Sequence, residues 1–397
     1  MGVSTGGGLQ SVLQHRLQRM VLAAACVYGC NEASAPLPAN RVVTITPDLV
    51  ASFASLDDVH ALAVAVTDTL GNPVTGSVAW EVAPATAAVS VSGGGVTITS
   101  AAPARDYHIL ATVDGVSDTA VVRVLPRPTG KLVFSTSADG QGRVFVKDFA
   151  SPGDATSIAS GPGTIAGLAV DQVSSRIFFA RGSLPNADIY RVEVDGSSLS
   201  NVTNDASASN QGPAINPVTH DVYFSRRGLS GTATQVFRMG QDGTSLSEVT
   251  AGTQGKVQPS VSTDGLRLAW SETYPGFNLE VVTATIGGSN PVRLTDRSGF
   301  DAQPHWLTNG TVAWSAALTT QPDVFVADAP GGSNARNLTS ITGRSSQPST
   351  GCAPNTLTIL RVLTGETAAY HLDVPTGLVV KYSLPVVRTI TFARRLC

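Results

Sequence analysis

The sequence predicts an all-β protein in two folded units, an antiparallel sandwich over residues 41–126 followed by a six-bladed propeller over residues 130–397. Two observations carry this. Four near-copies of one dipeptide, Gly212-Pro213, Gln258-Pro259, Gln303-Pro304 and Gln347-Pro348, are spaced 46, 45 and 44 residues apart (259−213, 304−259, 348−304), and a period of roughly 40–50 residues marks stacked supersecondary units. Ahead of them, short β-type segments alternate with turn residues every 8–12 positions, with no segment that fits a helical period.

At the N-terminus, Arg16 and Arg19 precede an apolar run from Met20 to Gly29. That run is too short for the ~20 residues that span a bilayer and suits the apolar core of an export signal. Cys30 follows Gly29 with Val27 three residues before it, which resembles a lipoprotein cleavage box, and Cys30 is the expected lipidation site. Cys26 competes, after Ala23-Ala24-Ala25, but would shorten the apolar run to Met20–Ala25. Residues 1–30 are thus read as a signal, 31–40 as a polar, Ala/Pro-rich tether. No other run reaches membrane-spanning length, so membrane contact is expected only through the N-terminal lipid.

Residues 41–126 supply about seven strand signals: Arg41 to Thr46, Ala61 to Thr67, Val78 to Val82, Val89 to Val91, Val96 to Thr99, His108 to Val113 and Thr119 to Val124. Pro47 after the first strand, Asp68-x-x-Gly71-Asn72-Pro73-Val74, Val78-Ala79-Trp80 and Ala111-Thr112-Val113-Asp114-Gly115 resemble a bacterial Ig-like domain of the kind found on surface proteins. The resemblance implies a sandwich with Trp80 between its sheets. Pro126-Arg127-Pro128-Thr129 reads as the junction to the second unit.

In the second unit each blade begins near the repeated proline and continues into a β-branched or aromatic strand: Arg176 to Ala180, Asp221 to Ser225, Arg267 to Ser271, Thr311 to Ser315 and Thr356 to Leu360. A third strand recurs as Asp188 to Val192, Gln235 to Met239, Asp323 to Ala327 and Ala369 to Leu372, followed by Asn201-Val202-Thr203, Glu248-Val249-Thr250 or Asn337-Leu338-Thr339. These last phrases match glycosylation sequons in part, but they recur with the blades and are read as turns. Gly167 starts a unit without the proline, and Lys131 to Phe134 with Arg143 to Val146 supply one more, which makes six. The proline is expected at the first residue of each innermost strand, where its missing N–H costs nothing. Only the first blade lacks its own innermost strand, and Arg388 to Phe392 is expected to complete it and close the ring.

The phrase before each hydrophobic strand resembles the Pro-x-hydrophobic-Ser-Pro-Asp-Gly turn of TolB-type six-bladed propellers. The match is best over Pro259 to Trp270 and weaker at Pro213 and Pro304, and it covers about residues 130–397. It implies an exported propeller that binds a partner, in the periplasm, at the outer membrane or at the cell surface. The α/β domain that precedes the propeller in that family has no counterpart in this sequence, so its transport role is not expected to carry over.

A net charge of −3 with 14% charged residues leaves no basic stripe for nucleic acid. Cys352 and Cys397 remain once the signal cysteines are set aside, and in an oxidising compartment they read either as a disulfide or as two separate thiols. Gln258, Gln303 and Gln347 with His305 mark the channel mouth and are the candidate contacts for a protein or glycan partner. The amides are read first as a loop-bracing hydrogen-bond set. No metal cluster, cofactor motif, nucleophile elbow or phosphate loop stands out, so a non-catalytic binding protein is expected. The other reading is a propeller enzyme of the metal-dependent lyase or lactonase type, acting on carbohydrate or lactone substrates.

Overall fold

The computed structural model describes residues 41–397 apart from 55–57, 100, 152, 184, 232, 277, 308–309, 318–320, 341–342, 364, 383 and 385–388. The signal, Cys26, Cys30 and the tether lie outside the described residues.

The N-terminal unit contains β1 (Arg41–Thr46), β2 (Leu49–Phe53), β3 (Asp58–Ala61), β4 (Ala63–Asp68), β5 (Ala79–Ala83), β6 (Val89–Ser92), β7 (Gly95–Ile98), β8 (Asp106–Val113) and β9 (Val116–Leu125). They form sheets in the orders β2-β9-β8-β5, β3-β7-β6 and β1-β4, and β2 runs parallel to β9. Strand alternation turns Tyr107, Ile109, Ala111 and Val113 of β8 and Ala120, Val122 and Val124 of β9 to one side. There they meet Val43, Ile45, Leu62, Val89, Val96 and Ile98 in a single buried cluster. Trp80 does not occupy the centre of that cluster. It lies half-buried on the edge strand β5, because the middle of the sheet belongs to β8 and β9.

The described residues of 131–396 form six blades of four strands each, with blades 4 and 5 touching through one parallel pair, Leu279↔Phe300. Blade 4 is representative, running outward from the axis through Lys256–Val261, Arg267–Tyr274, Asn278–Thr285 and Val292–Arg293. The inner strands of blades 2, 3, 5 and 6 are Thr164–Val170, Ala208–Ile215, Phe300–Trp306 and Arg344–Thr350. Blade 1 takes its inner strand from the far end of the chain: Phe392–Leu396 pairs antiparallel with Lys131–Ala138, from Lys131↔Leu396 to Ser135↔Phe392. The closing strand therefore begins at the last residue of the segment expected to form it. Arg388 lies outside the described residues, and Thr389 makes one isolated bridge to Thr367.

The repeated proline also sits differently from expectation. In blades 3 to 6 it lies inside the inner strand, at a register break between Gln211 and Ala214, Val257 and Ser260, Ala302 and His305, and Ser346 and Ser349. These are β-bulges, in which an extra residue opposes the neighbouring strand and the proline has no ladder bond to donate. Blade 2 has the same break between Ile165 and Leu168, whereas the closing strand of blade 1 pairs without one.

The recurring Val-Thr and Leu-Thr phrases have a defined task. Thr203, Thr250, Thr295 and Thr339 each accept the backbone N–H of a third-strand residue (Ile189, Val236, Val281 and Val324). Each threonine hydroxyl donates in turn to the side chain just before that residue: Asp188, Gln235, Glu280 and Asp323. One hydroxyl thus pins the short outer strand to the third strand while satisfying a side chain that would be costly to bury alone. Glu280 is fully buried and also meets Arg293 at 2.8 Å.

The second-strand aromatics fill the seams between blades. Trp270 packs with Tyr223 and Val236 of blade 3 and Leu268 and Val282 of its own blade, and Trp314 packs with Ala269 and Val281 of blade 4. Both are 1% exposed and place their indole N–H on a carboxylate, Glu272 and Asp301 respectively. Trp270→Ala is predicted to destabilise the protein by roughly 3–5 kcal/mol, the usual loss when a large aromatic leaves a closed site. A urea titration showing a loss below about 1 kcal/mol would contradict this packing.

Candidate functional site

Five inner strands converge with the closing strand on a cavity of about 760 Å³. The bulges form much of its wall. Gly212-Pro213, Gln258-Pro259, Gln303-Pro304 and Gln347-Pro348 all line it, joined by Ala166, Gly167 and Leu168 of blade 2 and by Phe392 and Arg394 of blade 1. A Cβ at Gly167 would lie 2.6 Å from the Gly212 backbone, so that slot admits only glycine.

The glutamines hold the left-handed backbone that normally favours glycine, with φ of 58° at Gln258, 57° at Gln303 and 54° at Gln347. Hydrogen bonds that pass from blade to blade hold them there. Gln258 N–H donates to Ser225 Oγ at 2.9 Å, and Gln258 Oε1 accepts from Ser271 Oγ at 3.1 Å and from Gln303 N–H at 3.0 Å. Gln303 Oε1 repeats the pattern, accepting from Ser315 Oγ at 2.9 Å and from Gln347 N–H at 3.1 Å. Each of these backbone N–H groups also reaches the serine of the preceding blade, Ser271 at 3.1 Å and Ser315 at 2.9 Å. The relay ends at Gln347. Its own blade carries Leu360 where blades 3 to 5 carry serine, and the next inner strand has no bulge, so Gln347 Oε1 is buried without a hydrogen-bond partner.

Because backbone N–H groups donate to them, the Oε1 atoms of Gln258 and Gln303 must be oxygens. Each carboxamide then has only its NH₂ group free for the cavity. Arg394 adds a guanidinium, its pKa held down to about 10 by burial, so the group is still charged at neutral pH. Arg227 adds a second, exposed one. The described lining contains no carboxylate, histidine or cysteine. The channel therefore carries positive charge beside its neutral amides.

The structure brings Gln258, Gln303 and Gln347 together in the cavity wall, but not His305. That ring turns toward blade 6, where Thr350 N–H donates to Nε2 at 2.8 Å and the Thr350 hydroxyl lies 2.6 Å from the same atom. Nε2 therefore carries its lone pair and the proton sits on Nδ1. Burial, with the Arg394 charge adding repulsion, pushes the His305 pKa down to about 3. His305 is a neutral tie between blades 5 and 6.

At the seam of blades 6 and 1, Cys352 and Cys397 form a disulfide with their Cα atoms 5.4 Å apart, linking the turn after the inner strand of blade 6 to the end of the closing strand. Sequence reasoning missed Arg394. Its only signal is its place two residues beyond Phe392 on a spare β-type tail, and its direction depends on the pairing register.

No family model matches the chain. A TolB homologue from Chlorobium luteolum is 27% identical over 144 residues, 36% of this chain and 32% of its own length. The chain thus spans about a third of that curated relative. Among solved structures, TolB from Acinetobacter baumannii superposes with a TM-score of 0.54 at 11% identity, over 72% of this chain and 78% of that one. The propeller is TolB-like. The same comparison finds hydrazine synthase from Kuenenia stuttgartiensis, with a TM-score of 0.52 at 12% identity over 65% of this chain and 45% of the other. At such identities the likeness is one of fold, and the chemistry of the TolB-like channel has to be read from its own side chains.

The relay makes the ring testable at a single residue. Gln303→Ala removes the two hydrogen bonds accepted by its Oε1, and should cost about 1–3 kcal/mol in a chemical denaturation experiment. A neutral effect would show that the relay does not brace the ring. The depressed His305 pKa sets a pH dependence: the unfolded chain takes up a proton below about 6.5, the folded chain only near 3. Stability should therefore be fully present above pH 6.5 and fall as the pH drops toward 3. His305→Gln should flatten that slope in melting temperatures recorded from about pH 7 to pH 4, and an unchanged slope would rule out this assignment.

Proposed function

We propose that this protein is a non-catalytic cell-envelope lipoprotein whose TolB-like propeller receives a protein or glycan partner at its channel. Residues 1–30 act as an export signal with lipidation at Cys30, residues 31–40 as a tether, and residues 41–126 as an Ig-like spacer that holds the propeller away from the membrane. Its location is the periplasm, the outer membrane or the cell surface. The observation that carries the binding role is the composition of the cavity: bracing amides, prolines and two guanidiniums, with no carboxylate, histidine or cysteine in the described lining. That donor set suits recognition by hydrogen bonds and apolar contact. It offers neither the hard oxygen ligands nor the imidazoles that a catalytic metal needs, so no observation favours the lyase or lactonase reading.

The test has two arms on the full-length protein expressed with its signal. Cys30→Ser should move it from the membrane pellet to the soluble fraction with an unchanged melting temperature. Continued pelleting with Cys26 intact would move the anchor elsewhere. Partner retention by the purified protein should survive EDTA, whereas substrate turnover that disappears with EDTA and returns with added metal would replace the binding role by the enzyme reading.

A further inference from the structure

We infer that the channel is a carboxylate-binding site built on Arg394, its ligand being a free organic acid or the carboxylate at the end of a peptide. The inference rests on the proposed binding role of the cavity and specifies its chemistry. The relay uses the acceptors of Gln258 and Gln303, and Gln347 Oε1 is the buried acceptor of the wall left without a partner. With Oε1 committed at Gln258 and Gln303, their amide NH₂ groups are left for the cavity, and Ser225 Oγ already accepts from Gln258. Among the described residues, the Arg394 guanidinium donates from Nη1 to the carbonyl of its neighbour Ala393 at 2.8 Å, and the described lining around it holds no carboxylate to pair with. A guanidinium has five N–H donors in a fork that matches a carboxylate. Leaving such a charge enclosed without an anion is costly.

Charge and shape narrow the class. The enclosed Arg394 guanidinium balances a single negative charge, and a phosphate dianion would have only the exposed Arg227 for its second. Phe392 is the one aromatic ring in the described lining, whose apolar part is otherwise aliphatic and proline. That wall suits an alkyl chain or a slender peptide end better than a sugar, which prefers an aromatic platform.

The full-length protein should be titrated by calorimetry at low salt with butyrate, trialanine, trialanine amide, galacturonate and inorganic phosphate. Butyrate or trialanine is expected to bind, and the amide is not. Binding should weaken roughly tenfold or more in Arg394→Gln and less in Arg394→Lys, which keeps the charge but loses the fork. Butyrate alone would indicate a free acid, and trialanine a chain end; either supports the inference. No binding at millimolar concentration, equal binding of the amide, preference for phosphate or galacturonate, or an Arg394→Gln affinity equal to wild type would overturn it. Tryptophan fluorescence checks the ring in each variant, and Arg394→Lys carries the comparison where Arg394→Gln does not fold. The two readings fail differently. Conversion of a bound acid to product would overturn the non-catalytic role, whereas an envelope partner retained equally by wild type and Arg394→Gln would overturn only the carboxylate site.

Discussion

Ring closure is the interaction on which the rest of this molecule depends. The last strand, Phe392–Leu396, must find Lys131–Ala138 across the whole propeller, and that ordering costs chain entropy before any blade seam is rewarded. Contacts at several points hold it. Ser135 Oγ meets Thr391 Oγ1 at 2.9 Å, Gln172 donates to the Arg395 carbonyl at 2.6 Å and accepts from Cys397 N–H at 2.9 Å, and Arg395 reaches the Thr129 carbonyl. The Cys352–Cys397 disulfide fixes the end covalently. Without this strand the first blade would expose a sheet edge, and edges invite aggregation.

Closure also joins the two folded units. Phe53 at the end of β2 enters the cluster that contains Leu132, Phe134, Phe149, Tyr382, Ile390 and Ala393, stacking on Tyr382 at 5.4 Å between ring centroids. The N-terminal unit therefore rests on the seam where the chain's end meets its second unit's beginning. A residue from the first unit thereby buries apolar surface that the junction between blades 6 and 1 leaves uncovered.

What can be read from the sequence is whatever each blade repeats locally. The Gln-Pro spacing, the aromatic second strands and the threonine phrases recur because each solves the same packing problem at every blade, so blade number and order are legible. Features set by register are not. The proline reads as a strand start because a bulge leaves no mark in a single repeat. The closing strand reads as beginning at Arg388 because Arg388 to Phe392 is β-type, whereas Ala393-Arg394-Arg395 mixes apolar and charged residues and gives no preferred face. Trp80 is expected at the centre because the Ig-like resemblance implies it, but its strand lies at a sheet edge.

That same register decides the chemistry of the channel. Successive residues of a strand face opposite sides, so the adjacent Arg394 and Arg395 separate: Arg394 lines the cavity, while Arg395 lies over Phe149 and Tyr382, at 4.7 and 5.3 Å from their ring centroids. A slip of one residue would exchange the two arginines and turn Phe392 out of the channel in favour of Ala393. The relay of glutamines meanwhile runs from blade 3 to blade 6 and stops at Gln347, beside the strand that carries Arg394. Blade 1 thus contributes a charge where the other blades contribute a bulge, and the break in the ring's hydrogen-bonding pattern is also the place where its electrostatic character is set.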